Sequence, residues 1–285
     1  MNDKITYMNS GRFAIRSFLT DCETVIVPAN FCVDVLNGVL SDKTTILAPM
    51  SDPFEHPNYE VAINTATSAK TGLVFVHQYG VVDCVKRDEI LKLCASKNIY
   101  FVDDYCLCTP QNFFQYSLDI EYSNYAAIIS FGYSKYVDLG TGCLTKSNKG
   151  FFSKHIETIE ELRQINNNLS SFLTTIKLEE KRRDEHSKKI RELYLKHFSM
   201  YHHVDSPWRF CIKLHKSSKL LKFFRENTND GLFWGFNYPP LTWSKNTKTF
   251  EASWKDETYN VVNLFHDFRF NLKNAKRLVR MATCA

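Results

Sequence analysis

The stretch that decides the fold is residues 126–143, which read AAIISFGYSKYVDLGTGC. An apolar run typical of a buried β-strand ends at Ser130, Lys135 follows it, and a glycine-containing turn comes next. An ammonium group at the end of a buried strand is partly desolvated, which favours the neutral amine. Because a neutral amine is a nucleophile towards an aldehyde, the stretch predicts a lysine that can form an imine.

A second strand upstream ends in two carboxylates. Residues 99–104 read IYFVDD, and a helical pattern at 87–94 precedes them. Ligands of an open α/β sheet collect at the carboxyl ends of its strands. A carboxylate there could pair with the protonated pyridine nitrogen of pyridoxal phosphate, whose aldehyde would meet Lys135. The alternative is that Asp103 and Asp104 cap the next loop or helix.

A third element lies near the start of the chain, where Ser10, Gly11 and Arg12 open a helical pattern. The residues that follow are apolar at 14, 15, 18 and 19, which is the spacing of one helix face. Gly11 lets the backbone approach a ligand closely, and the helix dipole favours a negative charge. The pattern predicts a phosphate site, with plain N-capping by Ser10 as the alternative.

The remaining pattern predicts an α/β fold. Strand-like segments alternate with helical or loop segments, which indicates a mostly parallel sheet. The segments are 24–28, 45–48, 73–77, 99–103 and 126–130.

A long charged helix is predicted from Leu169 to about Tyr201, and Ser206-Pro207 marks a boundary after it. A strand-like run then opens a second region at Trp208, which is interpreted as a core or interface residue like the other tryptophans. We therefore expect a large α/β domain at 1–170, a connecting helix at 171–205 and a small α+β domain at 206–285.

The composition fits an intracellular globular protein. With 285 residues the chain can bury a core in each of two domains. It has no apolar run of the roughly 18 to 20 residues that span a bilayer, and no signal-peptide core. Nine cysteines, an odd number, indicate reduced thiols. Because paired CxxC motifs are absent from the sequence, we expect no metal site, and we expect a cytoplasmic location with no membrane partner.

The net charge of +5 could suggest a nucleic-acid partner. The densest charged cluster, residues 179–189, mixes both signs at helical spacing. Such a cluster is typical of the solvated face of a long helix, so we expect no nucleic-acid partner.

Taken together, the motifs resemble the DegT-type (DegT/DnrJ/StrS) family of pyridoxal-phosphate sugar aminotransferases, which have the aspartate aminotransferase fold. The matching blocks cover residues 9 to 146, and each resembles a block of the family. They are the Ser-Gly-Arg turn at 10–12, the strand, proline and loop at 25–32, the His-x-x-Gly turn at 77–80, the Val-Asp-Asp strand at 102–104, and the Ser-Phe-x-x-x-Lys stretch with its glycine turn.

The resemblance implies roles for individual residues. Lys135 would hold pyridoxal 5′-phosphate as an imine and shuttle the proton, and Asp104 would pair with the ring nitrogen. Ser130 and the amides of Gly11 and Arg12 would hold the phosphate.

Other roles stay open. Either Phe31 or Cys32 would cover the ring face, and the register between them is not settled. Phe31 is the better stacker, although an ordinary core aromatic is the alternative. His77 and Tyr238 are candidate substrate contacts, and for Tyr238 a rigid turn packed by its own aromatic residues is the alternative.

The resemblance implies amino transfer from glutamate to a keto-sugar nucleotide, in surface polysaccharide or secondary metabolite biosynthesis, by a homodimer. Two departures keep other hypotheses open. Leu107 stands where the family has a Gln or His near the cofactor's ring oxygen, and residues 147–170 are shorter than in relatives. The alternatives are a dehydratase or lyase that uses the same cofactor, and a non-catalytic family member that acts as a binding or scaffold subunit.

Overall fold

A computed structural model describes residues 5–117, 120–148, 151–152, 160–227, 234–236, 241–244, 249–252, 258–268 and 270–283. The first half of the chain builds a seven-stranded sheet with the spatial order β1-β7-β6-β5-β4-β2-β3. Its strands are β1 (Thr6–Met8), β2 (Thr24–Pro28), β3 (Thr44–Ala48), β4 (Thr71–Val76), β5 (Tyr100–Asp104), β6 (Tyr125–Ser130) and β7 (Cys143–Ser147).

The strand pairings are mostly parallel. From β3 to β6 each neighbouring pair in the sheet is parallel, whereas β7 is antiparallel to both β6 and β1. The residues of β2 are buried throughout, as are most of those in β4, β5 and β6, as expected for parallel strands covered on both faces. The predicted α/β fold with a mostly parallel sheet is confirmed.

Four of the five helices between these strands begin at good capping residues. Ser10, Asn58, Asp83 and Thr109 each accept a hydrogen bond from a backbone N–H in the first turn of the helix that they start. Such a cap stabilises a helix by about 1 kcal/mol. The helices are α1 (Gly11–Phe18), α2 (Val33–Val39), α3 (Tyr59–Thr65), α4 (Cys84–Ser96) and α5 (Pro110–Tyr116), with a 3₁₀ turn at Gln78–Gly80.

A second, four-stranded antiparallel sheet follows the long helix, with the order β10-β13-β9-β8. Buried apolar side chains of α7, α8 and α9 pack with those of β9 and β13 into one core. The elements are α6 (Glu160–Asn167), α7 (Leu169–Phe198), β8 (His202–Asp205), β9 (Phe210–His215), α8 (Lys219–Glu226), β10 (Trp234–Phe236), β11 (Leu241–Ser244), β12 (Thr249–Ala252), β13 (Tyr259–Leu264) and α9 (Leu272–Thr283).

The charged cluster in α7 is not solvated along its whole length, which corrects the sequence prediction. Arg183 has no exposed surface. Its guanidinium lies 5.7 Å from the centre of the Tyr136 ring and donates a hydrogen bond of 2.6 Å to the carbonyl of His266. The spacing of mixed charges along the helix therefore gives no sign that Arg183 is buried. Through Tyr136 and His266, Arg183 connects the long helix to the first region and to the last.

The β11–β12 hairpin returns to the first sheet. The Asn37 side chain in α2 donates to the Phe250 carbonyl and accepts from the Phe250 N–H, both at 2.9 Å. Leu241 N–H donates to the Ala29 carbonyl at 2.7 Å. We propose that the chain divides into three parts, with boundaries at residues 170 and 205. The β11–β12 hairpin belongs to the last part of the chain but packs on the first.

Among the described residues, no helix is both long enough and apolar enough to cross a membrane.

Candidate active site

The start of α1 lies against the carboxyl ends of two neighbouring strands. Ser10 is the N-cap, and its Oγ accepts a hydrogen bond of 3.1 Å from Phe13 N–H. At Gly11 a Cβ atom would stand 3.3 Å from both Cys106 Sγ and Ser130 Cβ. Glycine therefore lets the backbone N–H groups of Gly11 and Arg12 come close to the end of β6, where they can face an anion.

Asp104 is the last residue of β5. Its side chain lies at the carboxyl end of the sheet, and the residue is 7% exposed. Oδ1 accepts a hydrogen bond of 2.8 Å from Cys106 N–H, which fixes the carboxylate over the turn that leaves the strand.

Lys135 lies in the loop 131–142 that joins β6 to β7. Lys135 N–H donates to the Gly132 carbonyl at 3.1 Å. Gly142 in the same loop has a φ of 91°, and a Cβ there would lie 2.6 Å from the Tyr7 ring, so only glycine fits. The glycine turn noted in the sequence thus packs closely on β1 and returns the chain to the sheet at β7, beside β6.

These elements surround one cavity of about 480 Å³, within the size range of ordinary ligand pockets. The structure brings together all of the residues predicted to hold the cofactor. The lining includes Ser10, Gly11, Arg12, Phe31, Cys32, Asp104, Cys106, Ser130, Tyr133, Lys135 and Thr141. Both Phe31 and Cys32 line it, so the register between them stays open.

The residues fit pyridoxal phosphate by their chemistry. Amide N–H groups, a hydroxyl and a guanidinium suit a phosphate, a lysine amine suits the aldehyde, and a carboxylate suits the ring nitrogen. The glycine at position 11 leaves open the space that a Cβ would narrow.

A smaller cavity of about 50 Å³ adjoins the first and shares Asp104 and Lys135 with it. Leu107 lines it, and so do the side chains of Asn30 and Gln78, whose amides bond each other at 3.2 and 3.1 Å. Neither residue is among those predicted from the sequence to form the site. Asn30 follows β2 and Gln78 follows β4, and the pairing of those two strands brings the side chains together.

His77 does not line either cavity, which corrects the expectation of a substrate contact. The side chain has no exposed surface, and Nε2 lies 2.9 Å from Asp103 Oδ1. Asp103 Oδ2 accepts from Tyr125 Oη at 2.8 Å and from Arg87 Nη1 at 3.2 Å. His77 therefore belongs to a buried charge network on the face of β5 that is opposite to Asp104 and the cavity. Tyr238, the other candidate contact, lies outside the described residues.

The buried network predicts how stability depends on pH. Burial raises the pKa of Asp103, but His77 and Arg87 outweigh it and hold that pKa below its ordinary value. A carboxylate with a lowered folded-state pKa stabilises the fold above its unfolded pKa of about 4 and loses that contribution as pH falls through the folded value.

We therefore expect the difference in unfolding free energy between wild type and Asp103→Asn to be large at pH 7 and to shrink below about pH 4. Urea unfolding at a series of pH values measures it. A difference that stays constant down to the acid limit would show that the charge of Asp103 has no part in stability.

Known proteins resemble this chain in structure but not detectably in sequence. No family model matches the sequence, and no curated protein matches it either. Solved structures match over almost the whole chain. A DegT DnrJ EryC1 StrS aminotransferase from Brucella abortus has a TM-score of 0.64 at 12% identity, covering 99% of this chain and 86% of that one. The chain has the fold of the DegT-type aminotransferases.

Two further structures with this fold were solved with small molecules. NtdA from Bacillus subtilis, with the cofactor PMP bound, has a TM-score of 0.66 at 17% identity and covers 99% of this chain and 73% of that one. DesI in the presence of its TDP-sugar product has a TM-score of 0.69 at 10% identity, with 98% and 80% covered. The aminotransferase fold predicted from the sequence is thereby confirmed.

Proposed function

We propose that the chain is a pyridoxal-phosphate-dependent aminotransferase that moves the amino group of glutamate to a keto-sugar nucleotide. The observation that carries this proposal is the convergence of Lys135, Asp104, Ser130 and the start of α1 on one cavity. NtdA and DesI, which share the fold, are described with PMP and a TDP-sugar product. That this chain also binds this cofactor and a sugar nucleotide is part of the proposal.

Each part of the site has a task in this proposal. When bound, pyridoxal phosphate supplies an aldehyde and a cationic ring that takes up electron density. Asp104 keeps a proton on the ring nitrogen. Lys135 Nζ binds the cofactor and then, as a free amine, holds and moves the proton at the reacting carbon.

The phosphate would be held by the amides of Gly11 and Arg12 and by Ser130 Oγ, with the charge of the Arg12 guanidinium added. Phe31 or Cys32 would cover one face of the ring. From the resemblance to the family, Tyr238 is also a proposed substrate contact.

Gln78 and Asn30 are proposed to supply the polar atoms that Leu107 cannot. An amide N–H group that is not used in the Asn30–Gln78 pair can still donate to a ligand oxygen in the smaller cavity. Gln78→Leu keeps the volume and removes the donor. We expect about fivefold to tenfold weaker uptake of pyridoxal phosphate, measured by fluorescence quenching. Asn37→Leu, which alters an amide that bonds the hairpin, serves as the control and should leave uptake unchanged.

The function is tested with purified full-length protein and pyridoxal phosphate. A visible absorption band should form, and glutamate should remove it with release of one 2-oxoglutarate per site. Loss of the band with release of ammonia would support the dehydratase or lyase. A protein that stays colourless at saturating pyridoxal phosphate would support the scaffold hypothesis. A panel of keto-sugar nucleotides then identifies the acceptor by return of the band.

We also propose a homodimer, since the family completes each site with a neighbouring subunit, and a cytoplasmic location. The cysteines that the structure describes are free thiols, which supports a reducing compartment. Light scattering during size-exclusion chromatography measures the oligomeric state, and a mass of about 33.2 kDa would contradict the dimer.

A further inference from the structure

The residue before Lys135 has an unfavourable backbone conformation. Ser134 has a φ of 67°, in the left-handed region that residues with a Cβ seldom adopt. Such a conformation persists only where surrounding contacts hold it. Because Ser134 and Lys135 share a peptide bond, the backbone conformation of Ser134 affects the direction in which the Lys135 side chain leaves the loop.

One set of contacts comes from within the loop. Asp138 Oδ2 accepts a hydrogen bond from Ser134 N–H, and Oδ1 accepts one from Gly140 N–H, both at 2.9 Å. These bonds shape the loop, but Asp138 is itself a loop residue and moves with it. They do not fix the loop relative to the rest of the protein.

A second contact reaches the loop from the connection between β8 and β9 of the second sheet. The indole N–H of Trp208 donates a hydrogen bond of 2.8 Å to the Ser134 carbonyl. Trp208 is only 6% exposed, so water competes little for this bond. The residue lies shortly before β9, and its loop is bound by the Ser206 hydroxyl, which accepts from the backbone N–H groups of Trp208 and Arg209 at 3.1 Å each.

The indole ring is itself held in place. The Arg209 guanidinium lies 5.0 Å from the centre of the Trp208 ring, and its Nη2 pairs with Asp267 at 2.9 Å. Arg209 is 1% exposed. An indole held by a buried, paired guanidinium has little freedom to turn away from the Ser134 carbonyl.

The residue after Lys135 is bound to the long helix. Tyr136 Oη donates to Asp184 of α7, and the Arg183 guanidinium lies over the Tyr136 ring. Tyr136 is 3% exposed. Both neighbours of Lys135 are thus held by the part of the chain that follows residue 168, although Lys135 itself lies in a loop between two strands of the first sheet.

We infer that Trp208 is a positioning residue for Lys135, and that its indole N–H sets the direction in which the lysine enters the cavity. The inference rests on the proposed function only in taking Lys135 as the reacting amine. It assigns the second sheet a part in the site even though none of the residues named as holding the cofactor comes from that sheet.

The first test needs no cofactor. Trp208→Phe removes the N–H and keeps an aromatic ring, and Trp208→benzothienylalanine replaces only the N–H by sulfur. Hydrogen exchange measured by mass spectrometry should rise about fivefold to tenfold in peptides that cover 131–142, and stay unchanged elsewhere. Tyr194→Phe is the matched control, because it removes a buried bond of 2.9 Å to the Phe265 carbonyl and should leave 131–142 unchanged.

Exchange that is unchanged at 131–142, or that rises equally over the whole chain, would overturn the inference. The benzothienylalanine protein decides the question if Trp208→Phe does not fold, because the ring volume is kept.

The second test shows whether Trp208 acts through Lys135. Affinity for pyridoxal phosphate is measured in wild type, Trp208→Phe, Lys135→Ala and the double variant. Trp208→Phe should weaken binding about tenfold when Lys135 is present and less than about twofold when it is absent. Equal losses in both backgrounds would contradict a role through the lysine. If wild type itself takes up no pyridoxal phosphate, the proposed function fails, and the exchange experiment alone decides the positioning role.

Discussion

Replacing Lys135 by alanine is expected to abolish the visible band that the protein forms with pyridoxal phosphate, and to lower amino transfer by more than about 10³-fold. The reason is that Lys135, which lines the cavity, supplies both the amine that binds the cofactor and the group that moves the proton. Absorbance spectra and a 2-oxoglutarate assay measure the two effects. Non-covalent affinity for pyridoxal phosphate should remain, because the helix start and Ser130 are unchanged.

Lys146 offers a matched control for this substitution. It is a fully buried lysine on β7, and its Nζ donates a hydrogen bond of 2.6 Å to the Ser117 carbonyl. Lys146→Met should lower stability and leave the visible band intact. If Lys135→Ala protein still forms the band, or if Lys146→Met protein loses it while folded, Lys135 is not the reacting residue.

The sequence was sufficient to predict those parts of the candidate site that lie at or shortly after the ends of single strands. Lys135 and Asp104 each follow an apolar run, and a parallel sheet places the carboxyl ends of such runs at one edge. Gly11 was predictable for a similar reason, since a glycine at a helix start marks a close approach of backbone to a ligand or to a neighbouring element. The local sequence pattern and one rule of sheet geometry are thus enough to predict that these residues lie close together.

Other parts could not be predicted, because they depend on contacts between distant segments. Asn30 and Gln78 form a pair only because β2 and β4 are neighbours in the sheet. The contact of Trp208 with Ser134 joins the β6–β7 loop of the first sheet to the connection between β8 and β9 of the second. A tryptophan in a strand-like run is typical of an ordinary core residue. His77 was misread for a related reason, since its buried partner Asp103 is on the neighbouring strand β5.

Substitution of Asp104 by asparagine is expected to lower amino transfer by roughly 10²- to 10³-fold while the fold stays intact. The substitution replaces only the carboxylate, by an amide. Because the amide carries no negative charge, it cannot stabilise a proton on the ring nitrogen as a carboxylate does. Asparagine can still accept the hydrogen bond from Cys106 N–H, so the turn after β5 keeps its shape. Steady-state kinetics and thermal unfolding measure the two properties on the same preparation.

The adjacent residue supplies the control that separates charge in the site from charge in the fold. Successive side chains of a strand point to opposite faces, so Asp103 faces the buried network while Asp104 faces the cavity. Asp103→Asn leaves Arg87 and His77 beside a neutral partner, which should cost about 3 kcal/mol or more of unfolding free energy. Its turnover per folded molecule should stay within about threefold of wild type, because an indirect effect through β5 is small beside loss of a charge at the ring. The two substitutions are chemically identical and one residue apart. If both lowered stability equally and turnover equally, the assignment of Asp104 to the cofactor would be wrong.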